Sequence, residues 1–371
     1  MSFKPITLLA CLFTALSAAV PSCDARPVTR DQGLQKMYGQ LVIKGFAGLT
    51  VDDPRVRTVR KALEQSLLGG VILFQKNIKN PKQVAALTQV FRTADTRHTP
   101  IIAVDEEGGA VERLTRAKGF TYTPGHFRMQ QRSTVAQARE RYDGMAKELV
   151  KAGFNTNLGP VVDLRLNPNN PVIARNYRSF GIHPLYVARY AQSFVAAHDA
   201  ASIGTALKHW PGHGSSTKDS HLHFVDVTKH WQQIEIEPYR RLFAKGYSGM
   251  VMTSHIYHRD WGNGENLPAS LSPVAIKTML RDDLGFDGVI ITDDLQMRSI
   301  SSKRKLDEAI IMALAAGNDI VLIGNVLAQA PSDPEFAVRA IARGVREGRL
   351  DFKQLYRSWQ RVIGYKARLR R

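Results

Sequence analysis

The chain is 371 residues long, 44% hydrophobic and 23% charged, a globular balance that excludes a disordered or low-complexity polymer and leaves room for one large domain or two smaller ones. Its net charge of +18 is scattered and concentrates only in the closing YRSWQRVIGYKARLRR, so a solvated basic face drawn to acidic envelope polymers or anionic surfaces accounts for it and no nucleic-acid partner is expected. Both cysteines, Cys11 and Cys23, sit near the N-terminus, so the remaining chain depends on its core rather than on disulfides.

Lys4 precedes an apolar run from Ile6 to Val20 that is too short to span a bilayer comfortably and ends in small residues. This pattern predicts a secretory signal over residues 1–25, cleaved after Ala19 or Ala25, and an exported domain over 26–371, periplasmic or extracellular. Membrane attachment would follow only from a lipid on Cys23, a pattern that Pro21 fits poorly. Further along, Asp53 and Pro54 open a helix whose apolar face is Val56, Val59, Leu63 and Leu67, with Gly69 as its expected stop; Ser272 and Pro273 open another in the same way.

Eight short apolar runs alternate with such helices: LVIKGF from 41, GGVILF from 69, PIIAVDEE from 100, NTNLGPVVDL from 155, IGTALKHW from 203, SGMVMTSH from 248, GVIITDD from 288 and NDIVLIG from 318. Strands apolar on both faces imply a parallel sheet covered on both sides, and eight strand–helix units predict an α/β fold of the (β/α)8 TIM-barrel type, a single domain. An open doubly wound sheet is the alternative. Asp105, Asp163, Lys208, His209, His255, Asp293 and Asn325 all fall at the C-terminal ends of these strands, where such a barrel carries its site. No glycine-rich phosphate loop follows a strand, so no nucleotide cofactor is expected.

Three stretches could carry chemistry. In AVDEEGGAVERL the strand ends at Asp105, Gly108 and Gly109 allow a tight turn, and Arg113 follows; a carboxylate and a guanidinium suit bidentate contacts to sugar hydroxyls or a carboxylate. Taken alone, surface turn chemistry explains these acids and glycines as well. In KHWPGHGSSTKDSHLHF, Lys208 and His209 end a strand, and the loop beyond carries Asp219 and His221, spaced so that the carboxylate can accept the ring N–H and make the imidazole a general acid. A metal site of His209, His213, His221 and His223 would need a spacing that HExxH and related motifs do not supply here, so no metal is expected; an inert polar loop is the third reading. In GVIITDDLQM the strand delivers Asp293 as a rigidly mounted nucleophile, with Asp294 as a cap or hydrogen-bonding partner.

From about Gln40 to Asn325 these segments resemble, in order and spacing, the bacterial β-N-acetylglucosaminidases of glycoside hydrolase family 3, of the NagZ type. KHWPGHG with the following DSH, DEEGGAVER, NYRSFG and GFDGVIITDDLQM each match a family motif. The resemblance implies a barrel in which Asp293 forms a covalent glycosyl intermediate, His221 oriented by Asp219 is the acid/base, and Asp105, Arg113, Arg178, Lys208 and His209 bind a terminal N-acetylglucosamine. It implies a retaining exo-β-N-acetylhexosaminidase that needs no cofactor, acting as a monomer on glycans such as peptidoglycan fragments. A histidine replaces the second carboxylate usual in glycosidases, and the glycines and serines of its loop are expected to let the Asp219–His221 pair swing. Ala110 departs from the arginine usual in the EGGRV motif, and Trp210 from a phenylalanine. A β-glucosidase, a phosphorylase on the same fold and a non-catalytic glycan-binding protein are the competing readings.

Overall fold

The computed structural model describes residues 30–262, 264–326 and 333–369; the signal expected over 1–25, with Cys11 and Cys23, lies outside the described residues. Eight strands form the barrel: β1 (Val42–Gly45), β2 (Gly70–Leu73), β3 (Ile101–Val104), β4 (Thr156–Asn157), β5 (Gly204–Trp210), β6 (Met250–Thr253), β7 (Val289–Asp294) and β8 (Ile320–Ile323). They pair in parallel in chain order, and β8 closes on β1 through Val42 opposite Val321. The (β/α)8 expectation therefore holds: strands such as Val71–Leu73 and Ile101–Val104 bury both faces, and the pairing of β8 with β1 closes the sheet, excluding the open doubly wound alternative.

The helices cover the outside by their apolar stripes. In helix Pro54–Glu64, Asp53 accepts the Arg55 N–H and Val56, Val59, Ala62 and Leu63 are buried. The expected stop at Gly69 is a correction: the helix ends at Glu64, and Ser66 turns the chain at φ 59°. Gly69 already donates its N–H to the Val42 carbonyl, and a Cβ there would run into the Gln40 backbone. It is a glycine because the chain entering β2 lies tight against β1. The helix opened by Ser272 and Pro273 forms as expected over Val274–Asp283, wound as a π-helix, with Ser272 Oγ accepting the Ala275 N–H.

Three irregularities shape the C-terminal mouth. The fourth strand is far shorter than its apolar run, because Pro160 has no N–H to continue a ladder; beyond Asn157 only Val161 pairs, opposite Lys208. Between β5 and β6 the register slips between Lys208 and Trp210, and between β7 and β8 it slips between Ile291 and Asp294. Each slip lets consecutive residues turn toward the mouth, the usual service of a bulge beside a site. A two-residue parallel ladder, Val225–Asp226 with Ile256–Tyr257, and a small core of Val227, Trp261 and Ala269 anchor the far end of the loop that follows β5. Among the described residues no helix is long and apolar enough to cross a membrane.

Candidate active site

At the mouth, β3 and β5 deliver an ion cluster. Lys208 Nζ lies 2.9 Å from Asp105 Oδ1 and 2.7 Å from Glu107 Oε1, while Arg178 donates to both Glu107 oxygens at 2.8 Å. Arg113 approaches Asp105 more loosely, at 3.7 Å. Burial opposes ionisation of Glu107, yet Arg178 and Lys208 outweigh it and hold the carboxyl well below the usual carboxylate range. Burial likewise opposes the charge on Lys208, and Asp105 and Glu107 raise it nonetheless. Two cations facing two carboxylates, with Asp105 the least buried of the four, make a rigid array of donors and acceptors suited to vicinal hydroxyls.

Asp163 lies beneath this cluster and is wholly buried. Its Oδ2 accepts from His209 Nδ1 at 2.7 Å, and its Oδ1 accepts the N–H groups of His209 (3.1 Å) and His213 (2.8 Å). Past His209 the chain enters the loop, whose first half is packed: Pro211 to Ser216 are buried, and exposure begins at Thr217. A Cβ on Gly214 would overlap the Leu164 carbonyl and one on Gly212 would meet Glu235. The glycines and serines expected to let the loop swing therefore pack in its buried root, where backbone passes close to backbone; beyond it Thr217, Lys218, His221, Leu222 and His223 are exposed, Asp219 is half-buried and Ser220 is buried.

This outer part of the loop carries the pair read from the sequence. His221 Nδ1 lies 2.8 Å from Asp219 Oδ1, which also accepts the His221 N–H. Burial raises and these contacts with His221 lower the Asp219 carboxyl, the net shift being downward. The loop is tied to the chain that follows β7: Arg298 N–H donates to the His221 carbonyl and Ser299 N–H to the Ser220 carbonyl. Ser220 Oγ is 3.1 Å from His213 Nε2.

Asp293 is the penultimate residue of β7. Its Oδ1 accepts the Asp294 N–H at 2.8 Å, and no hydrogen bond reaches Oδ2 among the described residues. Burial opposes its ionisation, but His255, His209 and His221 outweigh it and bring the carboxyl down to about 2. Asp294 plays the structural part expected of it: burial pushes it up to about 6 while Oδ1 accepts the Gly324 and Gln296 N–H groups. Its carbonyl takes the Nε2–H of His255, whose Nδ1 accepts from Ser270, so His255 is a buried prop under β7, its imidazole pushed down by burial.

The structure thus gathers Asp105, Arg113, Arg178, Lys208, His209, Asp219, His221 and Asp293 at one end of the barrel. Sequence reasoning missed Glu107 as the joint between Lys208 and Arg178, although its place two residues after Asp105 puts it on the same strand end. Asp163 was legible only as a polar residue near a strand end. Ala110 is exposed on its turn, and Trp210 packs fully buried, donating to the Ala275 carbonyl. No cluster of three metal-ligating side chains occurs among the described residues. A cleft of about 360 Å³ opens at the opposite end, beside Gly204, Gly249 and Tyr365, and none of the site residues lines it.

Comparison with known proteins follows the same pattern. Residues 33–364 match the model of the glycosyl hydrolase family 3 N terminal domain. A beta-hexosaminidase A of Pseudoalteromonas piscicida is 32% identical over 325 residues, covering 81% of this chain and 54% of its own length. A beta-hexosaminidase of Hydrogenovibrio crunogenus is 30% identical, covering 79% of this chain and 82% of its own. The solved structure of a glycoside hydrolase family 3 beta-N-acetylglucosaminidase from Paenibacillus sp. str. FPU-7 superposes with a TM-score of 0.80 at 33% identity, over 90% of this chain and 62% of that one. The chain spans about half the length of the first relative and under two thirds of the solved structure.

Proposed function

The chain belongs to glycoside hydrolase family 3 through its N-terminal domain, and on that footing we propose that it is a retaining exo-β-N-acetylhexosaminidase. The observation that carries this reading is Asp293 near the end of a barrel strand, its Oδ1 accepting the Asp294 N–H and its Oδ2 reached by no hydrogen bond among the described residues, with the segment that follows the same strand tying down the loop that bears the Asp219–His221 pair. The hexosaminidase and N-acetylglucosaminidase names of the relatives support the sugar.

In this mechanism Asp105, Glu107, Arg178, Lys208 and His209 hold the hydroxyls of a terminal N-acetylglucosamine, and Arg113 completes the rim. Asp293 Oδ2 attacks the anomeric carbon while the bond to the aglycone oxygen breaks. His221, its Nδ1–H held by Asp219, gives its Nε2 proton to that oxygen, and the aglycone leaves as an alcohol. His221 Nε2 then takes a proton from water, whose oxygen attacks the same carbon, releases Asp293 and restores the original configuration. A positioned general acid contributes roughly 10²–10⁴-fold. The proposed substrates are glycans ending in β-linked N-acetylglucosamine, peptidoglycan fragments among them, and the apolar segment at residues 6–20 supports an exported setting.

The test is turnover of an aryl β-N-acetylglucosaminide by the purified protein and by Asp293→Ala. The variant should keep its circular dichroism spectrum and lose turnover; full retained activity would remove Asp293 from the mechanism. Aryl glucosides without the 2-acetamido group separate a β-glucosidase, dependence on phosphate reveals a phosphorylase, and saturable binding with no turnover identifies a glycan-binding protein.

A further inference from the structure

Asp163 touches no reacting atom in the mechanism above, yet its carboxylate accepts three hydrogen bonds, all from His209 and His213. We infer that it is a positioning residue that sets the hydrogen-bonding sense of His209, making that imidazole an acceptor toward the sugar. The purpose of the positioning rests on the hydrolase reading; the state of the ring does not.

A carboxylate only accepts, so the 2.7 Å contact between Asp163 Oδ2 and His209 Nδ1 places a hydrogen on Nδ1. On the other side of the ring, Nε2 lies 3.4 Å from Arg178 Nη2, and a guanidinium only donates. Nε2 therefore presents its lone pair to Arg178 and to the mouth, where it can take a hydrogen bond from a sugar hydroxyl but cannot give one. Asp163 is itself held on every side. Its Oδ1 accepts two backbone N–H groups, and its carbonyl accepts from Ser179 Oγ at 2.6 Å, next to Arg178. Burial opposes its ionisation, and His209 and His213 overcome that opposition.

A purely structural Asp163 would serve only to satisfy the N–H groups of His209 and His213. Asp163→Asn separates the two roles, because its amide oxygen can still accept both N–H groups while its NH₂ replaces Oδ2 opposite Nδ1. The His209 ring must then accept at Nδ1 and carry its hydrogen on Nε2, pointed at the Arg178 cation.

The experiment is ring-¹⁵N histidine NMR of wild type and Asp163→Asn, with His209 assigned by its loss in His209→Gln, alongside steady-state kinetics on an aryl N-acetylglucosaminide. Expected are a protonated Nδ1 with bare Nε2 in the wild type, the reverse in Asp163→Asn, and a KM raised roughly 10–100-fold, with no further rise when the substitution is made in a His209→Ala background. A wild-type ring protonated on Nε2 overturns the inference even if the variant fails to fold. So does a folded variant whose KM stays within about twofold of wild type, or one whose effect adds in full to His209→Ala. Should the wild type turn over no N-acetylglucosaminide, the hydrolase reading fails and the ring spectra still decide this one.

Discussion

Replacing Glu107 by Gln removes one of two carboxylates that face Lys208 and Arg178 in a site where all three of these groups are buried. At the observed 2.7 and 2.8 Å, each contact is worth about 6 kcal/mol of Coulomb attraction at an effective dielectric near 20. Desolvation of the ions cancels much of it, and breaking such a buried cluster by removing one partner costs about 3–5 kcal/mol. Scaled by the unfolding entropy per residue to a chain of this size, that is a fall in melting temperature of about 4–7 °C. With Arg178 released from its bidentate grip, kcat/KM should fall about 10²-fold. The pH dependence supplies a second signature. Glu107 has a folded-state pKa below its unfolded value, so its contribution is complete above the unfolded carboxylate pKa of about 4.3 and is lost as pH falls below that toward the folded value. The gap in melting temperature between wild type and variant should therefore be full at pH 7 and narrow below about pH 4. Calorimetric melts across that range, with kinetics at pH 7, make the test. Equal melting temperatures at pH 7 together with kcat/KM within about twofold would show that Glu107 is not the joint of the cluster.

Glu106, beside it, has the opposite sign: burial pushes its carboxyl up to about 8 while Oε2 accepts the Arg113 and Leu114 N–H groups. It costs stability as pH rises from about 4.3 toward 8, so Glu106→Gln should be more stable than wild type at pH 7 by up to roughly 3 kcal/mol in urea melts, an advantage that vanishes near pH 4. Gly214→Ala drives a Cβ into the Leu164 carbonyl at the root of the loop; a loss of about 1–3 kcal/mol and a larger proportional loss of kcat than of substrate binding are expected, and unchanged kcat would mean the root can yield. Lys366 is buried at the N-terminal end of the barrel, where Nζ donates to Gln40 Oε1 at 2.7 Å and the Gly69 carbonyl at 2.6 Å, and burial brings it down to about 7. The folded state sheds this proton earlier than the unfolded one, so wild type should gain stability on Lys366→Met as pH rises from about 7 to 10; parallel stability curves would contradict that.

Much of this was legible along the chain. Strand apolarity ending abruptly in Asp105, Lys208–His209 and Asp293 marks residues whose backbone is buried and whose next side chain must face a mouth, and the pairing of Asp219 with His221 needs only two residues of separation. The capping of helix Pro54–Glu64 by Asp53 is equally local. Its end was not: Gly69 reads as a helix stop, but its smallness answers to Gln40 on the neighbouring segment. The loop after β5 shows the same limit, since Gly212 and Gly214 look like hinges in sequence and are contact points in space.

Local pattern, then, was sufficient for eight parallel strand–helix units, their polar end and the Asp–His pair, because apolar runs, capping and near-neighbour hydrogen bonds are settled within a few residues; that the sheet closes on itself shows only in the pairing of β8 with β1. What tertiary structure alone decided is how that end is wired. The grip of Glu107 on Arg178 spans 71 residues and that of Asp163 on His209 spans 46. Such bonds form only because barrel closure brings distant strand ends together in a medium where an unpaired charge is too costly to leave, and no periodicity in the chain records which carboxylate will meet which cation.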